Sequence, residues 1–215
     1  MAEQITGRDA VLAALLAGEP IEMVLVDREK DTSDIRELCH KLDILLEEGS
    51  TNDLWRMSSD GFVDALALTG RIPKGNLNQV FERGGTIWFF DGVTYSTNLG
   101  FAIRCAEVSG ADAVVLNVAK THEERRTIRR SSMRADRFIP VVYSTTEEIL
   151  NGAKANSVRI IAVEDVGTHE PWDEDLTGDV LLVVGAEKEG GSEQVLAAAD
   201  ACGLLPIDGY GPSYK

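Results

Sequence analysis

The hydrophobic pattern of this chain is clearest in its middle. Four apolar residues, Ile87 to Phe90, run without interruption and stop at Asp91-Gly92, the pattern of a buried strand meeting its turn. After a short polar loop, Asn98 stands at a predicted N-cap, where its side-chain carbonyl would accept a first-turn amide. Leu99, Ala102, Ile103 and Ala106 then recur at helical spacing, Gly110 closes the helix, and residues 113–116 form a second strand. Strand, helix and strand make a βαβ unit, which places functional loops at the carboxyl ends of its strands.

The flanking regions continue the alternation. Before residue 83 the spacing predicts helices over 7–16 and 32–42, with Thr32 or Ser33 as cap, and a short helix over 52–57. Strands are predicted over 21–26, 44–46 and 62–68, the last after the turn Ser59-Asp60-Gly61. Residues 69–76 break all periodicity, so the chain divides into a small α/β module over 1–75 and a second domain over 76–215. The second domain adds an apolar run within 137–143, a helix over 146–153 with Glu147 and Glu148 in its first turn, and strands over 158–163 and 180–184. A helix over 191–202 and a short strand over 204–207 follow. The strands 158–163 and 180–184 are almost wholly apolar, as parallel strands covered on both faces should be. The fold class is α/β, built on a parallel sheet.

Composition narrows the function. The cysteines, Cys39, Cys105 and Cys202, are odd in number and without a CxxC pair, so neither a disulfide framework nor a zinc site is expected, and a reducing cytoplasm is. The apolar run 10–17 is too short to span a membrane and lacks a basic leader, so no membrane partner is expected. The net charge of −15 works against nucleic acid at long range. Its distribution changes the picture. Residues 120–137 carry Lys120, Arg125, Arg126, Arg129, Arg130, Arg134 and Arg137, seven of the 21 basic residues. Two readings stand: a solvated helix with internal pairs to Glu123 and Glu124, or a contact surface for RNA phosphates.

Between strand 180–184 and the next helix lies Gly185-Ala186-Glu187-Lys188-Glu189-Gly190-Gly191. It is not GxGxxG, and Glu187 and Glu189 would repel a pyrophosphate at a helix N-terminus, which disfavours a Rossmann-type oxidoreductase. A cofactor without phosphates, carrying a sulfonium and an ammonium, does not conflict with those carboxylates. S-adenosylmethionine fits that description.

Three motifs in order carry a family resemblance. Asn98-x-Gly100-x-x-x-Arg104 is similar to the first motif of the SpoU family of RNA ribose 2'-O-methyltransferases, in the SPOUT superfamily of knotted enzymes. On spacing alone Arg104 reads as an exposed arginine pairing with Glu107. Gly185-x-Glu187-x-x-Gly190 resembles the second motif, and Leu205-Pro206-Ile207-x-Gly209 followed by Ser213 resembles the third. The resemblance implies a SPOUT methyltransferase domain with a C-terminal trefoil knot, and S-adenosylmethionine held by Gly185, Gly190, Leu205, Ile207, Ser213 and Tyr214. It implies Arg104, Asn98 and Glu187 as catalytic residues: Arg104 assists proton loss from the ribose hydroxyl, Asn98 positions it or the ribose, and Glu187 orders the pocket. It also implies a homodimer, and ribosomal or transfer RNA as substrate, met by Arg125, Arg126, Arg129, Arg130 and Arg134. Ser131-Ser132 loosely resembles a serine-bearing stretch near the family's subunit interface. Gly7-Arg8-Asp9-Ala10-Val11 resembles the opening of the family's RNA-recognising front module, with Ser59-Asp60-Gly61 where His-Gln-Gly is frequent. The third motif departs from the pattern: Ser213-Tyr214-Lys215 has lysine in the asparagine position, and the helix that follows in the family is absent. The knot is thus expected to be incomplete and cofactor binding weak. A catalytically inactive RNA-binding relative, or a fragment, is the alternative.

Overall fold

Strands of three to seven residues form two sheets in the computed structural model, which describes residues 3–186 and 189–206. The chain divides into two units. The first takes the chain up to Pro73 together with Met133–Phe138; the second takes Lys74–Ser132 and the chain from Ile139 on.

The first unit runs β1 (Glu3–Thr6), α1 (Arg8–Ala17), β2 (Ile21–Asp27), α2 (Ser33–Leu42), β3 (Leu45–Gly49), α3 (Thr51–Met57) and β4 (Ala65–Thr69). Its sheet order is β1-β4-β2-β3, with β2 and β3 parallel and the other pairs antiparallel. Strand β2 is nearly continuous in apolar residues because both its faces are covered. Val24 and Val26 pack with Val11, Leu15, Ile35 and Cys39, while Met23 and Leu25 pack with Leu54 and Met57. Strand β1 escapes sequence reading, since four mixed residues show no alternation until β4 pairs with them. Strand β4 starts at Ala65 rather than 62; Phe62 is 71% exposed and stacks on Trp55 instead. Thr32 is the N-cap of α2, but its hydroxyl oxygen accepts no capping amide.

The segment Met133–Phe138 completes this unit. Arg134 Nη1 lies 2.9 Å from Asp53 Oδ1, and Arg137 Nη1 donates to the Glu48 carbonyl at 3.3 Å. Met133 and Arg134 hold φ of 54° and 69°, a region that disfavours side chains, and the Asp53 pair helps to keep the second of them there.

The second unit runs α4 (Leu77–Arg83), β5 (Thr86–Phe90), α5 (Ser96–Val108), β6 (Ala113–Leu116), α6 (His122–Ser131), β7 (Val141–Tyr143), α7 (Thr146–Ala155), β8 (Arg159–Val163), β9 (Val180–Val184), α8 (Glu193–Ala198) and β10 (Ala201–Gly203). Its six strands are all parallel, in the order β10-β8-β9-β5-β6-β7. On one face Phe81, Ile149, Ala153 and Val195 from α4, α7 and α8 pack on Ile87, Phe89, Val115 and Leu181. Helices α5 and α6 pack against each other and α5 against β6, burying Leu99, Ile103 and Ile128. Helices α6 and α7 open with full capping boxes, Thr121 with Glu124 and Thr145 with Glu148.

Two boundaries differ from the sequence reading. Helix α5 begins at Ser96 with Tyr95 as its N-cap, and the Leu99 amide donates to the Tyr95 carbonyl at 3.0 Å. Asn98 therefore sits in the first turn and does not cap the helix. The loop before it is held from both sides, as described below, and the chain turns into the helix early. At the other end, the helix expected over 191–202 stops at Ala198. The Asp200 amide donates to the Ile160 carbonyl at 2.7 Å, and its carboxylate accepts from the Ile160 amide at 2.8 Å. That double bond to β8 draws residues 201–203 into the sheet, so strand pairing overrides the helical propensity of the alanines. The last strand is accordingly three residues earlier than 204–207.

Gly152 illustrates how tightly α4 and α7 meet. A Cβ there would lie 2.5 Å from the Phe81 ring. Alanine in a helix interior ordinarily gains about 1 kcal/mol over glycine. Here Gly152→Ala is expected to lose stability by about 1–3 kcal/mol through overpacking. Chemical denaturation checks this, and a stabilised variant would contradict the packing described.

Candidate functional site

Parallel sheets bind ligands where the strand order reverses, because the loops leaving two neighbouring strands then diverge and leave a crevice. In the second unit the reversal falls between β5 and β9: from β5 the chain proceeds to β6 and β7, then returns to the far side through β8 and β9. A cavity of about 410 Å³ opens at that point. It is lined by the loop after β5 (Gly92, Val93, Thr94, Tyr95), by Asn98, Phe101, Ala102 and Cys105 of α5, and by Val184, Gly185, Ala186 and Glu189 after β9. Glu189 is the one charged residue among those lining residues. Such walls favour an uncharged or cationic guest over a phosphate.

Beneath the cavity lies a buried polar network. The Asp91 carboxylate, 2% exposed, accepts from Asn117 Nδ2 at 2.5 Å and from the Ser192 amide at 2.6 Å. Asn117 Nδ2 also donates to Thr146 Oγ1 at 2.8 Å, and the Gly92 amide donates to Asn117 Oδ1 at 2.8 Å. The carboxyl ends of β5 and β6 and the starts of α7 and α8 are thereby tied to one carboxylate. No motif reading identifies this network. Its signals are an acid directly after one apolar strand and an amide directly after the next.

The glycines after β9 have a steric reason. A Cβ at Gly185 would overlap Glu164 Oε1 and the Gly190–Gly191 backbone, one at Gly191 would lie 3.0 Å from Glu164 Oε1, and Gly190 has φ of 65°. Ala186 and Gly190 exchange backbone hydrogen bonds of 2.8 and 3.2 Å, closing the loop into a tight hairpin. Glu164, at the end of β8, thus sits against the loop, accepting from the Gly191 and Gly185 amides. Burial pushes its carboxyl above the ordinary range; the two amides oppose the rise, and Asp165 and Asp91 add to it. Sequence reading missed Glu164 because it is distant from the motif in the chain.

Gly100 is also a packing residue. A Cβ there would overlap Ser131 Oγ and come within 2.7 Å of the Ile128 carbonyl, so glycine lets α5 and α6 approach closely. Ser131 and Ser132 donate to carbonyls of their own helix, Thr127 and Arg129 respectively.

The predicted site residues fall into three groups. Asn98 and Gly185 face the same cavity. Arg104 is exposed on α5 and makes no hydrogen bond or ion pair with any described residue. Gly190 is part of the hairpin and Leu205 lies beyond β10, neither among the cavity-lining residues. Glu187, Ile207, Ser213 and Tyr214 lie outside the described residues, as does the segment expected to form the knot. The basic cluster divides as well. Arg125, Arg126 and Arg130 are exposed on α6, with Arg125 4.5 Å above the Tyr143 ring, and Arg129 is partly exposed. Arg134 belongs to the first unit, where it pairs with Asp53 and Asp136. Among the described residues no helix is long and apolar enough to cross a membrane, and no acidic, His or Cys group is placed to hold a metal.

The placement of Glu164 makes a pH-dependent expectation. A folded carboxyl with a raised pKa contributes stability that is fully present below the unfolded pKa and lost as pH rises through the folded one. The unfolded value is near 4.5. The difference in Tm between wild type and Glu164→Gln should shift against the wild type as pH rises above that value, then level off. A difference that stays constant over roughly pH 4–8 would contradict the burial of this group.

Comparison with known proteins agrees with this geometry. The sequence profile described as the SpoU rRNA Methylase family matches residues 86–214. The 23S rRNA (guanosine-2'-O-)-methyltransferase RlmB of Photobacterium profundum is 25% identical over 219 residues, covering 96% of this chain and 89% of that one. Among solved structures, the AdoMet-bound rRNA methyltransferase of Sinorhizobium meliloti superposes with a TM-score of 0.61 at 20% identity, covering 100% of this chain and 82% of that one. The SpoU methyltransferase AviRb of Streptomyces viridochromogenes gives 0.60 at 20% identity, over 99% and 83%. At these identities the structural likeness establishes the fold, and the profile, matched over more than half of the chain, establishes the family: this chain belongs to the SpoU rRNA Methylase family.

Proposed function

We propose that this chain is an RNA ribose 2'-O-methyltransferase that takes its methyl group from S-adenosylmethionine and acts on ribosomal or transfer RNA. The observation that carries the reading is the cavity at the strand-order reversal, lined both by Asn98 of the first motif and by Gly185 of the second, in a chain of this family. RNA methylation is also the activity named for the relatives just described.

The residues present suit the cofactor. Gly185 brings main-chain groups to the cavity wall without a side chain, and Phe90, Val93 and Val184 offer apolar surface to an adenine. Glu189 suits a cationic sulfonium or ammonium. When bound, S-adenosylmethionine supplies an already electrophilic methyl carbon. The protein's part is then to align a ribose 2'-oxygen with that carbon and to ease the loss of its proton. A guanidinium is a poor general base, so Arg104 serves as an electrostatic partner for the developing alkoxide or a neighbouring phosphate. Asn98, one and a half turns earlier on the same helix, orients the ribose, with Glu187, Leu205, Ile207, Ser213 and Tyr214 assigned to the site by the motifs they occupy.

Arg125, Arg126, Arg129 and Arg130 form the RNA-facing side of α6, and the first unit serves as an RNA-recognition module. The homodimer has support in the outer side of α5 and its approach, where Tyr95, Phe101 and Val108 are 62%, 56% and 74% exposed.

Arg104→Ala is expected to lower kcat about 10²–10³-fold while cofactor affinity stays within about twofold, since the side chain acts at the ribose. Transfer of labelled methyl to total RNA together with calorimetric titration of the cofactor measures both; full activity would remove Arg104 from the mechanism. Replacing Arg129 and Arg130 by alanine should weaken RNA binding and flatten its dependence on salt by about 0.7 per lost phosphate contact. An unchanged slope returns α6 to the role of a solvated helix.

A further inference from the structure

The second unit contains a buried ammonium that the methyl-transfer reading does not use. Lys120 lies in the connection between β6 and α6, and its side chain is 1% exposed. Its Nζ donates to the Thr94 carbonyl, and Glu124 Oε1 stands 3.7 Å away. Glu124 is itself engaged, its other oxygen accepting from the Thr121 amide and hydroxyl. A lysine this deeply enclosed is costly unless its charge is satisfied. Here the satisfaction comes mainly from one backbone carbonyl in the loop after β5.

That loop has no regular hydrogen-bonding pattern of its own, yet it forms one wall of the cavity and delivers the chain into α5. It is pinned twice, and both pins come from the same short connection. Asn117 takes the Gly92 amide, and Lys120 holds the Thr94 carbonyl. Lys120 is fixed in turn, because its own carbonyl accepts from Arg125 Nε at 3.2 Å. Two residues past Thr94 the helix begins, with Asn98 in its first turn and Arg104 beyond.

We infer that Lys120 is a positioning residue: through the Thr94 carbonyl it sets where the β5–α5 loop and the start of α5 lie, and hence where Asn98 and Arg104 meet the ribose. The inference rests on the proposed methyltransferase reading for its catalytic consequence, but not for its structural one. A misplacement of about 1 Å can cost on the order of a hundredfold in rate. Lys120→Met keeps the length of the side chain and removes the charge and its donors.

The test combines two measurements on the full chain. Hydrogen exchange followed by mass spectrometry should show amides 93–98 exchanging at least about tenfold faster in Lys120→Met, with β6 and β9 unchanged. With S-adenosylmethionine and an RNA that the wild type methylates, kcat should fall about 10- to 100-fold while RNA KM changes less than about threefold. Should the methionine variant not fold, Lys120→Arg, which keeps the charge and moves the donors, undergoes the same exchange comparison. Unchanged exchange over 93–98 overturns the inference whatever the activity. A uniform rise across the second unit, with KM and kcat both affected, assigns Lys120 to general stability and overturns it too. A wild type that methylates no RNA counts against the proposed function alone, and the exchange result then decides the role of Lys120.

Discussion

A carboxylate removed from water must be solvated by the protein, and the site end of the second unit is arranged around that requirement at Asp91. Its two oxygens are answered by Asn117 and by the Ser192 amide, groups that lie 26 and 101 residues away in the chain. Each partner is then fixed by the next: Asn117 by Thr146 and by the Gly92 amide, Ser192 by its place at the start of α8. Parallel strands pair through their backbones without regard to what their ends carry. The carboxylate gives those ends a common reference, so the two cavity loops leave the sheet from related positions.

The two loops use different means to stay in place. The loop after β5 is held from outside, by side chains that reach its backbone. The hairpin after β9 is held by close packing, with glycines fitted around the Glu164 carboxylate. The first arrangement leaves side chains of the loop free to vary in type; the second leaves no room for a side chain at Gly185 and little at Gly190 and Gly191. This accounts for why the second motif is rich in glycine while the approach to the first, Val93-Thr94-Tyr95, is not. Charge follows the same division of labour. The net charge of −15 repels polyanions at long range, whereas Arg125, Arg126 and Arg130 concentrate exposed positive charge along α6.

The sequence was most legible where burial on both faces forces continuous apolar runs. Strands β5, β6, β8 and β9 were visible for that reason, and so was the parallel sheet. It was least legible where tertiary contacts decide. Asp200 turned a helical alanine stretch into a strand by bonding to Ile160, and β1 has no pattern apart from its partner. Asn98 and Gly185, named from separate motifs, both line the cavity, but Asn98 does not make the cap expected of it. Motif reading could not find Asp91, Asn117, Lys120 or Glu164, since their roles depend on distances between loops and not on spacing along the chain. The arginines were seen as one cluster; their different places, on α6 or beside Asp53, depend on which unit each residue joins.

That last division has a consequence for how the chain is made. Phe138 packs into the core of the first unit, and Arg134 and Arg137 complete its polar contacts. An N-terminal domain ordinarily closes as soon as its own residues leave the ribosome. Here closure waits for residue 138, by which time β5, α5, β6 and α6 of the second unit have already been synthesised. The two units therefore mature with overlapping schedules. A protease cutting the chain near residue 73 would not release a complete first unit, because six of its residues would remain on the other fragment.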